Sequence, residues 1–104
     1  MKIIFKISTV LVLLTISAAA NGGKVFKDYC WGCHHQTSVA FGPSFEQIAN
    51  MRTVGEIQGH IVSPQSMYEQ LGHKRSVMPA FGDTLSQKEL DDITKFILTF
   101  KGKN

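Results

Sequence analysis

Tyr29 to Gln36 reads YCWGCHHQ, and these eight residues hold both cysteines of the chain, its single tryptophan and two adjacent histidines, His34 and His35. Cys30 and Cys33 stand three positions apart, and His34 follows the second thiol directly. Three chemistries draw on such a cluster. A dithiol switch needs two thiols at this spacing, a metal knuckle needs thiolates joined by further ligands elsewhere, and a covalently held haem needs two thiols and a neighbouring imidazole.

The rest of the sequence separates the three. A thioredoxin-like switch keeps its C-x-x-C near a βαβ pattern, and no β alternation is visible here. A structural zinc site takes four ligands, commonly in two paired knuckles, and the second pair would have to come from scattered histidines such as His60 and His73. A plain disulfide would close a tiny loop, constrain the unfolded chain very little and leave His34 unexplained. C-x-x-C-H is the attachment signature of c-type haem. Two thiols at this spacing reach the two vinyl groups on one edge of a porphyrin and form thioethers. That carries the adjacent His34 under the ring as the proximal iron ligand.

The sixth iron position then needs a ligand. The candidates are Met51, Met67, Met78, His35, His60 and His73. His35 neighbours His34 and cannot reach the opposite face of the ring. The others, Met78 excepted, fall in or beside predicted helices and are read as core or surface residues; His35, His60 and His73 default to surface polar positions. Met78 lies in the proline-containing stretch VMPAFG, apolar enough to line a haem crevice. A lone methionine is ordinarily a flexible core filler, but here a ligand is otherwise missing. His/Met ligation raises the reduction potential relative to an anionic ligand. With both axial positions filled, no site stays open for O₂ or substrate, and the iron passes single electrons between Fe(III) and Fe(II). The alternative is a five-coordinate haem that binds a gas or another small ligand, should Met78 not reach the iron.

The N-terminus sets the compartment. Lys2 and Lys6 precede an almost unbroken apolar stretch from Ile7 to Ile16, and Ala18, Ala19 and Ala20 supply small residues at a cleavable boundary. This is the pattern of a secretory signal peptide over 1–20, too short for the roughly 20 apolar residues of a span. Haem attachment to C-x-x-C-H takes place outside the cytoplasm, in agreement with export to the periplasm. The whole chain carries 11 Lys+Arg and 8 Asp+Glu. Without Lys2 and Lys6 the balance is about +1, which gives no support to nucleic-acid binding. Residues 21–104 then form one domain with a modest core of its own. A large apolar cofactor would complete it.

The elements that must position these residues read as helices. Val25, Phe26 and Tyr29 share a face of a short helix from about Gly23 to Trp31, with Gly22 and Gly23 permitting close approach of another element. Ser44 caps a helix near Phe45 to Asn50, after the break at Gly42 and Pro43. Thr53 and Glu56 form a capping box for a helix bearing Val54, Ile57, Ile61 and Val62, which Pro64 ends. Gly72 to Thr84 is a loop, and within it Met78 is pushed toward extended geometry by Pro79. Ser86 and Glu89 make a second capping box. Leu90, Ile93, Phe96, Ile97 and Phe100 then recur at helical spacing up to Lys101, Gly102 and Lys103.

Taken together, CWGCH, GPSF, VMPAFG and the closing LSQKELDDITKFI resemble a class I cytochrome c of the small bacterial, monohaem type. The resemblance covers essentially all of residues 21–104. It implies a small all-α cytochrome c fold, with N- and C-terminal helices packed across each other around one covalently bound haem c. It implies further that Pro43 offers its backbone carbonyl to the second ring nitrogen of His34, and that Gly23, Phe26 and Phe96 form the crossing of the first and last helices. Phe45 stands where the family usually has an aliphatic residue. The implied activity is electron carriage, with redox partners met by transient contact at the haem edge near Cys30 and Cys33. The tail from Met78 to Leu90 also resembles haem subunits that work beside periplasmic oxidoreductases.

Overall fold

The structure, a computed structural model, describes residues 21–102. The expected signal peptide and Lys103 lie outside the described residues. The chain is helical throughout its ordered elements: α1 (21–30), α2 (Phe45–Met51), α3 (Val54–Val62), α4 (Pro64–Met67) and α5 (Gln87–Leu98). No strand occurs among the described residues.

Three of the helices, α2, α3 and α5, begin where a side chain supplies an orphan donor with an acceptor. The Ser44 side chain accepts from the Gln47 N–H at 3.1 Å. Thr53 and Ser86 both form complete capping boxes, Thr53 with Glu56 and Ser86 with Glu89. Each such cap is worth about 0.5–2 kcal/mol. Pro64 closes α3 as expected, but it also opens a further turn, α4, from its first position. A proline lacks the N–H that a first-turn residue would leave unpaired anyway, so it starts a helix as readily as it ends one.

The first helix differs from its expected span and geometry. It is already helical at residue 21, and its last five residues, Phe26–Cys30, form a wider π-turn in which the Trp31 N–H donates to the Phe26 carbonyl at 2.9 Å. The last helix ends at Leu98, four residues short of Gly102. Gly102 takes a left-handed conformation (φ 77°) and closes the following turn rather than the helix itself.

The N- and C-terminal helices cross at glycine, but Gly22 is the tighter point rather than the expected Gly23. A Cβ at Gly22 would run into the Asp92 carbonyl oxygen and lie 2.6 Å from Phe96 Cβ, whereas one at Gly23 would meet Phe96 at an ordinary 3.6 Å. The absence of a side chain lets the two backbones touch. Phe26 then packs on Phe96 with ring centroids 5.5 Å apart, as the crossing requires. Phe26, Phe45, Ala49, Ile57, Ile61, Leu90, Ile93 and Ile97 form the core, and Ile93 is fully buried. On α3 only Ile57 and Ile61 face inward. Val54 and Val62 stay substantially exposed, because a nine-residue helix at the rim of a small domain has one narrow buried stripe.

Candidate functional site

Two stretches without helix meet at one cavity. After α1 the chain folds back on itself: the N–H groups of Cys33 and His34 both donate to the Cys30 carbonyl, at 3.1 and 3.0 Å. The Gly42 N–H donates to the Cys33 carbonyl at 2.7 Å, and Phe45 and Glu46 donate to the carbonyls of His35 and Gln36. These bonds pin the Cys-His segment to the start of α2. The second stretch runs from Gly72 to Leu85. The N–H groups of Phe81 and Gly82 donate to the carbonyls of Ile61 and Val62 at the end of α3, and the Gln65 side chain donates to the Ser76 carbonyl at 3.0 Å. Met78 is held between those anchors.

The cavity has a volume of about 410 Å³, within the range of about 300–1,000 Å³ usual for cofactor and ligand sites. Cys30, Cys33, His34, Pro43 and Met78 all line it, and the remaining wall is mostly apolar, with Ile57, Ile61 and Ile97 reaching it from the core. Cys30 is half-buried and Cys33 exposed, and both are unbridged thiols. Burial, reinforced by the neighbouring Cys33, pushes the Cys30 thiol up to about 11. That is the reverse of the depressed thiol of a disulfide switch. Among the described residues, no group of three or more His, Cys, Asp or Glu side chains converges where it could hold a metal ion by itself.

His34 is the most constrained polar group in the cavity. Its Nδ1–H donates to the Pro43 carbonyl at 2.7 Å. A carbonyl can only accept, so Nδ1 carries a proton, and in the neutral tautomer this selects, Nε2 is the nitrogen with the lone pair. This fixes the ring's tautomer and direction, as it does for metal-bound histidines generally. Two further residues hold the imidazole, and neither was assigned this part from the sequence. Phe45 stacks on it with ring centroids 5.7 Å apart and planes 30° from parallel, while meeting Phe26 edge-on at 5.1 Å. The aromatic at position 45 is thus buried between the core and the imidazole. Gly42 gives the ring its space: a Cβ there would lie 2.6 Å from His34 Cε1 and 3.0 Å from Nδ1. The Gly42-Pro43 pair reads in the sequence only as a helix breaker. Its second use depends on a contact eight residues back along the chain.

Gly42→Ala is therefore expected to destabilise the holoprotein by about 1–3 kcal/mol, the ordinary cost of overpacking, and to perturb the His34 ring resonances. Thermal unfolding and NMR of the same sample check it; wild-type values for both would contradict the contact.

His60, read by default as a surface polar residue, instead lines this cavity, and His73, which keeps its expected surface position, also borders it. His60 is half-buried because Ile57 and Ile61 on the same helix draw its flank inward, whereas His73 is on the rim and exposed. His35 lies outside, its ring 6.0 Å from the exposed Trp31. Apolar walls, two thiols beside an oriented imidazole and a thioether on another segment suit a flat, hydrophobic macrocycle carrying iron. The sequence reading of the cofactor and the donor set of the cavity agree.

Comparison with known proteins points the same way. Residues 17–97 match the family model described as "Cytochrome C oxidase, cbb3-type, subunit III". The chain is 31% identical over 94 residues to cytochrome c6 of Thermosynechococcus vestitus, covering 85% of this chain and 79% of that one. It is 30% identical over 81 residues to cytochrome c6 of Synechococcus elongatus (76% and 86%) and 25% identical over 83 residues to that of Alaria esculenta (80% and 92%). No solved structure matches at comparable stringency.

Proposed function

We propose that this chain, which belongs to the cytochrome c family as a small class I member with one covalently bound haem c, shuttles single electrons in the periplasm with His34 and Met78 as the two axial ligands. As a cytochrome c it is an electron-transfer haem protein that works through redox partners. The haem supplies one-electron Fe(III)/Fe(II) chemistry.

The residues divide the remaining work. Cys30 and Cys33 attach the macrocycle by thioether bonds from their sulfurs. His34, its Nδ1–H held by the Pro43 carbonyl, presents the Nε2 lone pair as proximal ligand. Met78 presents a neutral thioether from a loop tied to α3 and α4. The apolar wall excludes water and keeps the surroundings of the iron nearly the same in both oxidation states. Partners approach beside Cys33, where Trp31 and Phe41 expose apolar surface, in a small transient contact of the kind redox encounters use. A charge of about +1 on residues 21–104 provides little long-range steering.

The observation that carries this reading is the convergence of Cys30, Cys33, His34 and Met78 on one apolar cavity. Export is supported by the pattern of residues 1–20. Among the described residues no helix is long and apolar enough to cross a membrane. The oxidised protein is expected to show the weak near-infrared band of methionine-to-ferric charge transfer. A spectrum without that band, with rapid carbon monoxide binding by the reduced form, would favour the five-coordinate alternative.

A second reading is favoured by the description of the matching family, which names an oxidase subunit: the domain serves as the haem subunit of a periplasmic oxidoreductase complex. Native electrophoresis of periplasmic extract stained for haem separates the two. A stand-alone carrier runs at its own small mass, and a subunit migrates with its partners.

A further inference from the structure

A second cluster of titratable groups lies on the cavity wall and has no part in the account above. His60 of α3 and His73 of the following loop have ring centroids 6.2 Å apart. Arg52, at the end of α2, and Arg75 line the same cavity. Among the described residues, the one acidic residue lining it is Glu56, whose Oε1 accepts from the Thr53 N–H in the capping box, so two arginines stand against one carboxylate. Arg52 donates to the Leu71 carbonyl at 2.8 Å and so remains a charge facing the cavity rather than half of an ion pair. This wall therefore carries a net positive charge.

His60 is the sharpest part of the cluster. Its Nδ1 is buried and has no hydrogen-bond partner among the described residues. Burial, followed by the nearby His73, His34 and Arg52, lowers its proton affinity below the ordinary imidazole value. At neutral pH it stands as an uncharged ring with one N–H to give, in surroundings that favour an anion. Buried polar groups in native proteins nearly always find a partner. A c-type haem brings two carboxylates, its only anionic groups at the periphery.

We propose that His60 and His73 form a carboxylate subsite that receives one of the two porphyrin carboxylates, His60 by an imidazole N–H donor and His73 from the rim. The proposal rests on the haem reading above. The subsite lowers the negative charge felt at the iron, and a charge-assisted hydrogen bond of this kind is stronger than a neutral one.

The test compares holoprotein variants His60→Phe, His60→Asn and His73→Phe with wild type. Haem attachment and the near-infrared methionine band are read first, since their loss in wild type would sink the haem reading and not the subsite. In His60→Phe the carboxylate loses its donor and the oxidised state gains. The equilibrium constant for reduction is expected to fall about three- to tenfold, the upper value being ~59 mV for a one-electron couple. His60→Asn, which keeps an N–H donor, should restore most of it. The carboxylate bands in the redox-difference infrared spectrum should shift in His60→Phe and in His73→Phe. Unchanged bands and an unchanged potential in His60→Phe, with haem attached, overturn the subsite. If His60→Phe does not accumulate, His73→Phe at its exposed position decides: a shifted carboxylate band supports the subsite and an unshifted one overturns it.

Discussion

A chain carrying Cys30→Ala and Cys33→Ala together is expected to be largely unfolded. The domain's own buried hydrophobic set is small, ten side chains among the described residues, and six of them line a cavity of about 410 Å³. Engineered cavities cost about 24 cal/mol per Å³, which would put an unfilled one of this size near 10 kcal/mol. Water entering from the open side reduces the figure, but even half of it rivals the total stability of a domain of this length, about 4–12 kcal/mol. The two thiols themselves contribute little packing, since Cys33 is exposed and Cys30 only half-buried. Their removal matters because it removes covalent retention of the group that completes the core. Far-UV circular dichroism and a thermal melt of the exported double variant check this. A cooperative transition near that of wild type would refute the claim that the cofactor is part of the fold.

Met78→Ala should have the opposite character: a folded protein with altered chemistry. The loop that carries Met78 is fixed by Phe81 and Gly82 donating to the end of α3 and by Gln65 donating to Ser76. None of those bonds uses the Met78 side chain, so the loop keeps its course when the thioether is cut back. Haem attachment, assigned to Cys30 and Cys33, should be retained. The near-infrared band should vanish, the reduction potential should fall, and the reduced form should bind carbon monoxide rapidly. An unchanged near-infrared spectrum would show that Met78 is not the ligand and would return Met51 and Met67 to consideration.

Much of this molecule is readable in its sequence because the relevant signals are local. Ser44, Thr53 and Ser86 start helices through side chains that reach three residues ahead, and such patterns survive without any knowledge of the fold. The spacing of Cys30, Cys33 and His34 is local in the same way. What escaped the sequence depends on contacts between distant segments. Gly22, rather than Gly23, meets α5 because the crossing angle of two helices, invisible in one strand of text, decides which glycine touches Asp92 and Phe96. Gly42 and Phe45 bracket His34 only after the chain has turned back on itself. His60 reads as a polar position on a weakly amphipathic helix, yet its neighbours Ile57 and Ile61 carry it to the cavity. The π-turn at Phe26–Cys30 has no sequence signature comparable to a capping box.

The central claim is that a porphyrin joined through Cys30 and Cys33 is an integral part of this protein. Intact-mass spectrometry of material exported alongside haem-attachment machinery tests it most directly. The account predicts the mass of residues 21–104 plus one haem, with neither thiol open to alkylation. A bare polypeptide mass, with Cys30 and Cys33 both reacting as free thiols, would contradict it.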